Sequence, residues 1–328
     1  METAQTASDQ QAEWFSHWFN ALLENIEQVI KGKHDQVALA LVCLFSEGHL
    51  LLDDVPGTGK TSLAKSIAHS IKGSWSRIQF TPDLLPSDVT GGLVYNQAKG
   101  TFDMRRGAVF ANVVLADEIN RASPKTQAAL LEVMEERHVT VDGVGYAVPR
   151  PFVVIATQNP VEQEGVYRLP EAQLDRFLMR TTLGYPDHEH EVDVLRMLTG
   201  GMRPEGLSPV MSTADIGTMI GVAESVHVED SIRSYVVRLC ATTRQLPELR
   251  LGVSTRGAMA VVRAARALAV AQGRPFVTAD DVRIVAPAVM GHRMLLTPEA
   301  ELGHVSVDEL VDRVLDRVDL PTAVRQRA

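Results

Sequence analysis

One short stretch constrains this chain more than any other: Leu50-Leu51-Leu52-Asp53-Asp54-Val55-Pro56-Gly57-Thr58-Gly59-Lys60-Thr61. An apolar run ending in acid, a glycine-bearing loop, then Lys-Thr opening a helical pattern reads as strand, phosphate loop and helix. Successive backbone N–H groups of such a loop can converge on phosphate oxygens at the helix N-terminus. Lys60 can then reach the β/γ-phosphates, and the Thr61 hydroxyl can ligate Mg²⁺. The match to G-x-x-x-x-G-K-[ST] is imperfect, because Asp54 stands where the first Gly is expected. A Gly-Lys-Thr turn can also open an ordinary helix, so the loop alone decides nothing.

The rest of the chain supplies the context. Its 328 residues are enough for two domains with separate cores. A formal charge of −9 argues against sequence-independent nucleic-acid binding, which needs a basic stripe to displace counterions. The two cysteines, Cys43 and Cys240, sit in apolar helical patterns with no metal-ligand spacing, which reads as core packing in a reducing compartment. Residues 1–12 are polar and read as a disordered tail rather than a signal peptide. No apolar run approaches the roughly 18 residues of a membrane span. A cytoplasmic protein is expected.

Trp14, Phe15, Trp18, Phe19, Leu22, Leu23, Ile26, Val29 and Ile30 recur at helical spacing, and a second helix is expected over 34–45. From the phosphate loop to residue 185, helix and strand alternate. Strands are expected at 76–80, within 109–117, at 152–157 and at 181–183. Ser123-Pro124 would cap a helix over 125–136. The alternation argues for a parallel sheet between helices. Two excursions interrupt it: Pro82–Arg106, too long for a plain connection, and Val139–Arg150, a hairpin around Asp142-Gly143. After Gly184-Tyr185-Pro186 the patterns are helical. The expected organisation is a P-loop domain over 13–185 and an all-α domain over 186–328.

Val113-Val114-Leu115-Ala116 ends in Asp117-Glu118. A carboxylate at the carboxyl end of a buried strand beside a phosphate loop stands where Mg²⁺ needs a ligand, direct or through water. A second carboxylate one residue on can polarise the attacking water. A solvated strand end gives the same two letters, but here they fall about fifty residues after Lys-Thr, at the end of such a strand. The next strand runs into Thr157-Gln158-Asn159-Pro160, where an amide could bond the same water or the γ-phosphate. Asn-Pro is otherwise a common turn initiator.

Four segments carry a resemblance: Ala116-Asp117-Glu118-Ile119-Asn120-Arg121, Lys125-Thr126-Gln127-Ala128-Ala129-Leu130-Leu131-Glu132, Ala156-Thr157-Gln158-Asn159-Pro160 and Leu169-Pro170-Glu171-Ala172-Gln173-Leu174-Asp175-Arg176-Phe177. The chain resembles the MoxR family of AAA+ ATPases over about residues 29–293. The resemblance implies an AAA+ P-loop domain followed by an all-α lid, using ATP and Mg²⁺. It implies that Pro56, Gly57, Thr58, Gly59, Lys60, Thr61 and Ser62 cradle the nucleotide, with Thr61 and Asp117 serving the metal. Glu118 would be the Walker B base, Asn159 sensor 1, Arg176 the arginine finger reaching a neighbouring subunit, and Arg256 sensor 2 at the start of a lid helix. Val29, Ile30 and Gly32 would flank the adenine. His292-Arg293 also matches the family, without an assigned role.

The implied function is ATP hydrolysis to ADP and phosphate, driving chaperone-like maturation or remodelling of protein complexes, metal or cofactor insertion included. A ring is implied, six-membered by expectation, with a partner carrying a von Willebrand factor A domain. Two other readings stay open: an ATP-binding switch that does not hydrolyse, and the ATPase subunit of a metal chelatase.

Overall fold

A computed structural model describes residues 6–55, 57–158, 167, 169–197 and 202–321. The chain runs α1 (Asp9–Glu27), α2 (His34–Phe45), β1 (Leu50–Asp53), α3 (Lys60–Ser70), β2 (Trp75–Gln79), α4 (Pro86–Thr90), β3 (Gly91–Asn96), β4 (Thr101–Arg106) and β5 (Val113–Asp117). It continues through a 3₁₀ turn (Ile119–Arg121), α5 (Pro124–Glu136), β6 (His138–Val141), β7 (Val144–Ala147), β8 (Val153–Gln158), α6 (Glu171–Leu174) and β9 (Met179–Thr181). Then come α7 (His188–Met197), α8 (Thr213–Ser225), α9 (Asp230–Thr243), β10 (Leu249–Leu251), α10 (Thr255–Ala271) and α11 (Ala279–Met290). A second 3₁₀ turn (Gly291–Arg293), β11 (Leu295–Leu296), α12 (Pro298–Leu302) and α13 (Val307–Arg317) complete it.

The central sheet has the order β2-β5-β8-β1-β9, and β2, β5, β8 and β1 pair in parallel. Their near-continuous apolar runs follow from burial on both faces. Leu51, Val114, Ala116, Val154 and Ala156 point to one side, where they join Leu130, Leu131 and Met134 of α5 in a single core. Alternate residues such as Leu50, Leu52, Val113, Leu115 and Ile155 are equally buried. Parallel pairing sends every carboxyl end to the same edge. Gln79 stands in register with Asp117, and Asp53 with Gln158. That edge is where ligands of open α/β sheets bind.

The two excursions are both hairpins. Pro82–Arg106 folds as α4 followed by β3–β4, whose pairs Leu93–Met104 and Tyr95–Phe102 set apolar side chains opposite one another. The second is β6–β7, turned by Asp142 (φ 51°) and Gly143 (φ 77°), the paired left-handed conformations that a two-residue turn requires. Ser123 caps α5, accepting from the Thr126 amide, with Pro124 in the first turn.

Contacts divide the chain into two compact units, one of residues 21–177 with 181–217 and one of the described residues of 1–20 with 178–180 and 218–328. α7 clusters with the α/β unit, so the contact boundary falls later than the shift of pattern at 185. The helical unit is built on α10, whose buried small residues Gly257, Ala260, Ala264 and Ala265 let α11 approach closely. It also carries the short antiparallel pair β10–β11. Thr278 and Asp281 close a capping box on α11, and Ser306 caps α13.

Two expectations need correction. The expected tail over 1–12 is structured from Ala7, whose amide donates to the Ser225 carbonyl. Ser8 and Gln11 then cap α1 reciprocally, a polar start that composition alone reads as disorder. The strand expected at 181–183 lies at Met179–Thr181. The Leu183 and Gly184 amides are taken by the Asp54 carboxylate, so they cannot extend the ladder.

Candidate functional site

The phosphate loop turns at Gly57 (φ 90°) and Gly59 (φ 91°), a left-handed geometry that side chains rarely adopt. A Cβ at either glycine would meet nothing within 4 Å, so open space borders both. Gly59 is the N-cap of α3, and α3 has no acidic residue in its first turn. Its free amides and dipole therefore favour an anion. The Lys60 ammonium donates to the Asp54 and Val55 carbonyls at 3.1 and 2.9 Å. Thr58, Thr61 and Ser62 are part-buried around it, and Pro56 lies outside the described residues.

Asp54, the departure from the loop pattern, has a definite task. It is 4% exposed, and its carboxylate accepts from the Leu183 and Gly184 amides at 2.5 and 3.0 Å. The same chain segment is held again where Lys33 donates to the Tyr185 carbonyl at 2.7 Å. A charged acceptor thus replaces turn flexibility with a fixed anchor below the loop.

At the end of β5, one hydroxyl ties the Asp117 carboxylate to the Glu118 backbone. Thr157, 1% exposed, donates to Asp117 Oδ1 at 2.7 Å and accepts from the Glu118 amide at 2.9 Å. Arg77 donates to Asp117 Oδ2 at 2.6 Å. Glu118 adopts φ 56°, unusual for a residue with a side chain, which turns the chain out of the strand. Its Oε2 accepts from Gln79 Nε2 at 2.9 Å and Arg121 at 3.0 Å. The hard oxygens of Thr61 and Asp117 suit Mg²⁺, which takes few protein ligands and shares the rest between water and phosphate. Each Asp117 oxygen engaged by Thr157 or Arg77 keeps a further lone pair, so the donor set fits the ion. Asn159 lies outside the described residues, one position beyond the last residue of β8.

The segment after α1 borders a cavity of about 550 Å³, lined among others by Ile30, Lys31, Gly32, His34 and His190. Val29 does not line it. Gly32 (φ 67°) lies against the His190 ring, and a Cβ there would stand 2.6 Å from His190 Cγ. His190 in turn is tied to Asp187, whose carboxyl is held below its ordinary range by the His190 amide and then its ring.

The two arginines are placed differently. Arg176 follows α6, pairs with Glu135 of α5 at 3.2 Å, and precedes the buried Phe177 of the α/β core. Arg256 is exposed at the second position of α10 in the helical unit. Sequence reasoning missed Gln79, Arg77, Arg121, Thr157 and the task of Asp54. Thr157 and Arg121 stood in quoted segments and Asp54 stood out as a departure from the loop pattern, whereas Gln79 and Arg77 carried no signal.

Comparison with known proteins agrees with this fold. Residues 49–179 match the ATPase family associated with various cellular activities (AAA), and residues 241–314 match the AAA lid domain. The YeaC protein of Bacillus subtilis is 47% identical over 91% of this chain and 93% of its own. The chaperone MoxR1 of Mycobacterium tuberculosis is 41% identical over 93% of this chain and 83% of its own. A solved Cytophaga hutchinsonii protein, described as a candidate ATPase, superposes with a TM-score of 0.89 at 35% identity, covering 95% of this chain and 98% of that one.

Proposed function

Because the chain belongs to the MoxR family of AAA+ ATPases, we propose that it hydrolyses ATP to ADP and phosphate to drive chaperone-like remodelling of protein complexes. The observation that carries this reading is the Thr157 hydroxyl, which fixes Asp117 and the Glu118 backbone together at the sheet edge beside the phosphate loop. A strand end without catalytic duty has no need of such a constraint.

Nucleotide phosphates enter at the N-terminus of α3, and the Lys60 ammonium exchanges the Asp54 and Val55 carbonyls for phosphate oxygens. Thr61 and Asp117 would hold Mg²⁺, which would supply charge neutralisation on the phosphates. Glu118 orients the attacking water and takes its proton. Gln79 and Arg121 both donate to Oε2 of Glu118, which steadies the carboxylate for that task. The cavity beside Ile30, Gly32 and His190 receives the nucleoside end. Arg176 acts on the site of a neighbouring subunit and Arg256 on that of its own, each stabilising charge on the transferred group. The ring of six, the partner with a von Willebrand factor A domain and the insertion of metals or cofactors are carried over from the family.

ATP turnover by the wild type, Glu118→Gln and Arg176→Ala tests the assignments. Both variants should lose most activity; equal rates in all three would overturn the reading. Mixing the two variants should restore part of the activity, because some sites then join an intact base to an intact finger. Nucleotide binding without phosphate release, client present, would favour the switch instead.

A further inference from the structure

Arg293 is a buried arginine to which the nucleotide chemistry gives no task. It is 7% exposed in the 3₁₀ turn after α11. Its guanidinium donates to the Leu178 carbonyl at 3.1 Å and to the Val289 carbonyl, and it contacts His292 Nε2 at 2.9 Å. Its stem lies under the first turn of α10. A Cβ on Gly257 would stand 2.9 Å from Arg293 Cδ and 2.5 Å from Val253 Cγ1, so glycine is what allows the helix to start there.

That first turn is fixed from every side. The Val253 amide donates to Thr243 Oγ1 at 2.9 Å, and Arg244 donates to the Val253 carbonyl at 2.8 Å. Ser254 Oγ accepts from the Gly257 amide at 3.2 Å. Arg256 stands between Ser254 and Gly257, so its backbone is set by this frame. The other end of Arg293 holds Leu178, two residues after Arg176. Residues 178–180 cluster with the helical unit, whereas Phe177 belongs to the α/β core. One planar, permanently charged group therefore grips both the helix that carries Arg256 and the chain that leaves Arg176.

We propose that Arg293 is a positioning residue that locks the start of α10 to Leu178, so that Arg256 and the strand after Arg176 move as one frame. This rests on the roles given above to Arg176 and Arg256. In a ring, the first arginine serves the neighbour's nucleotide and the second the subunit's own. A frame that joins the start of α10 to residues 178–180, two positions after the first arginine, makes the state of one site felt at the next.

The test uses the full chain, with Arg293→Met and Arg293→Lys made alone and in the Arg256→Ala background. ATP turnover is read as kcat, KM and Hill coefficient, alongside thermal melting and sedimentation. Arg293→Met should lower kcat about tenfold, bring the Hill coefficient toward unity and move KM less than about threefold, while Arg293→Lys recovers part of the loss. In the Arg256→Ala background the same substitution should cost less than about twofold, because the residue acts through Arg256. Equal fold-losses in both backgrounds, or wild-type kcat and cooperativity in Arg293→Met, would overturn the proposal. If Arg293→Met does not fold, Gly257→Ala displaces the same turn with Arg293 intact: lost cooperativity supports the link, and retained cooperativity overturns it. If Arg176→Ala and Arg256→Ala themselves leave kcat unchanged, the nucleotide-site reading has failed, and the proposal falls with it.

Discussion

At the scale of single residues, the least expected finding is that Asp54 is an anchor. Two amides depend on its carboxylate, and both are at or near burial. Asp54→Ala should cost about 1–3 kcal/mol of stability, read by urea unfolding, because it strands two donors. Asp54→Gly would complete the loop pattern and should be just as damaging, whereas Asp54→Asn keeps one acceptor and should lose less. Lys60, Thr61, Asp117 and Glu118 were legible in the sequence because each belongs to a local motif. Their immediate partners were not. Gln79 and Arg77 reach Glu118 and Asp117 only because β2 pairs with β5, and Thr157 only because β8 does. Pairing choice and register are long-range properties, and no local spacing encodes them.

At the scale of elements, periodicity found most helices and the alternation found the parallel strands. What it misplaced was decided by hydrogen bonds from elsewhere, as at β9, where Asp54 takes the amides that would have prolonged the strand. The hairpin β3–β4 was legible only as a long excursion, since Gly91-Gly92 hides the strand pattern. α9 offers a measurable consequence of burial. Cys240 is buried on it, and loss of hydration pushes its thiol from 9.0 up to about 11. The folded state thus holds the proton more tightly than the unfolded one. Its contribution is complete below about pH 9 and is lost as pH rises toward about 11, on the order of 3 kcal/mol in all. Cys240→Ala should melt lower at neutral pH, yet lose less stability than the wild type across that window. Thermal melts at matched pH values check it, and parallel losses in both proteins would refute it.

At the scale of the whole molecule, Arg176 is the residue with the longest reach. Within one chain it rests on Glu135. If its target is a neighbour's nucleotide, activity must depend on assembly. Diluting the protein should lower turnover per subunit at least about fivefold, in step with dissociation seen by sedimentation, while nucleotide binding by isolated subunits persists. A per-subunit rate independent of concentration would place the finger wrongly. Among the described residues no helix is long and apolar enough to cross a membrane. The anchor at Asp54 has one more consequence, and it concerns descent rather than energy. Positions 54, 183 and 184 are tied by two hydrogen bonds, so a lineage that replaces the aspartate with glycine leaves both amides in need of another acceptor.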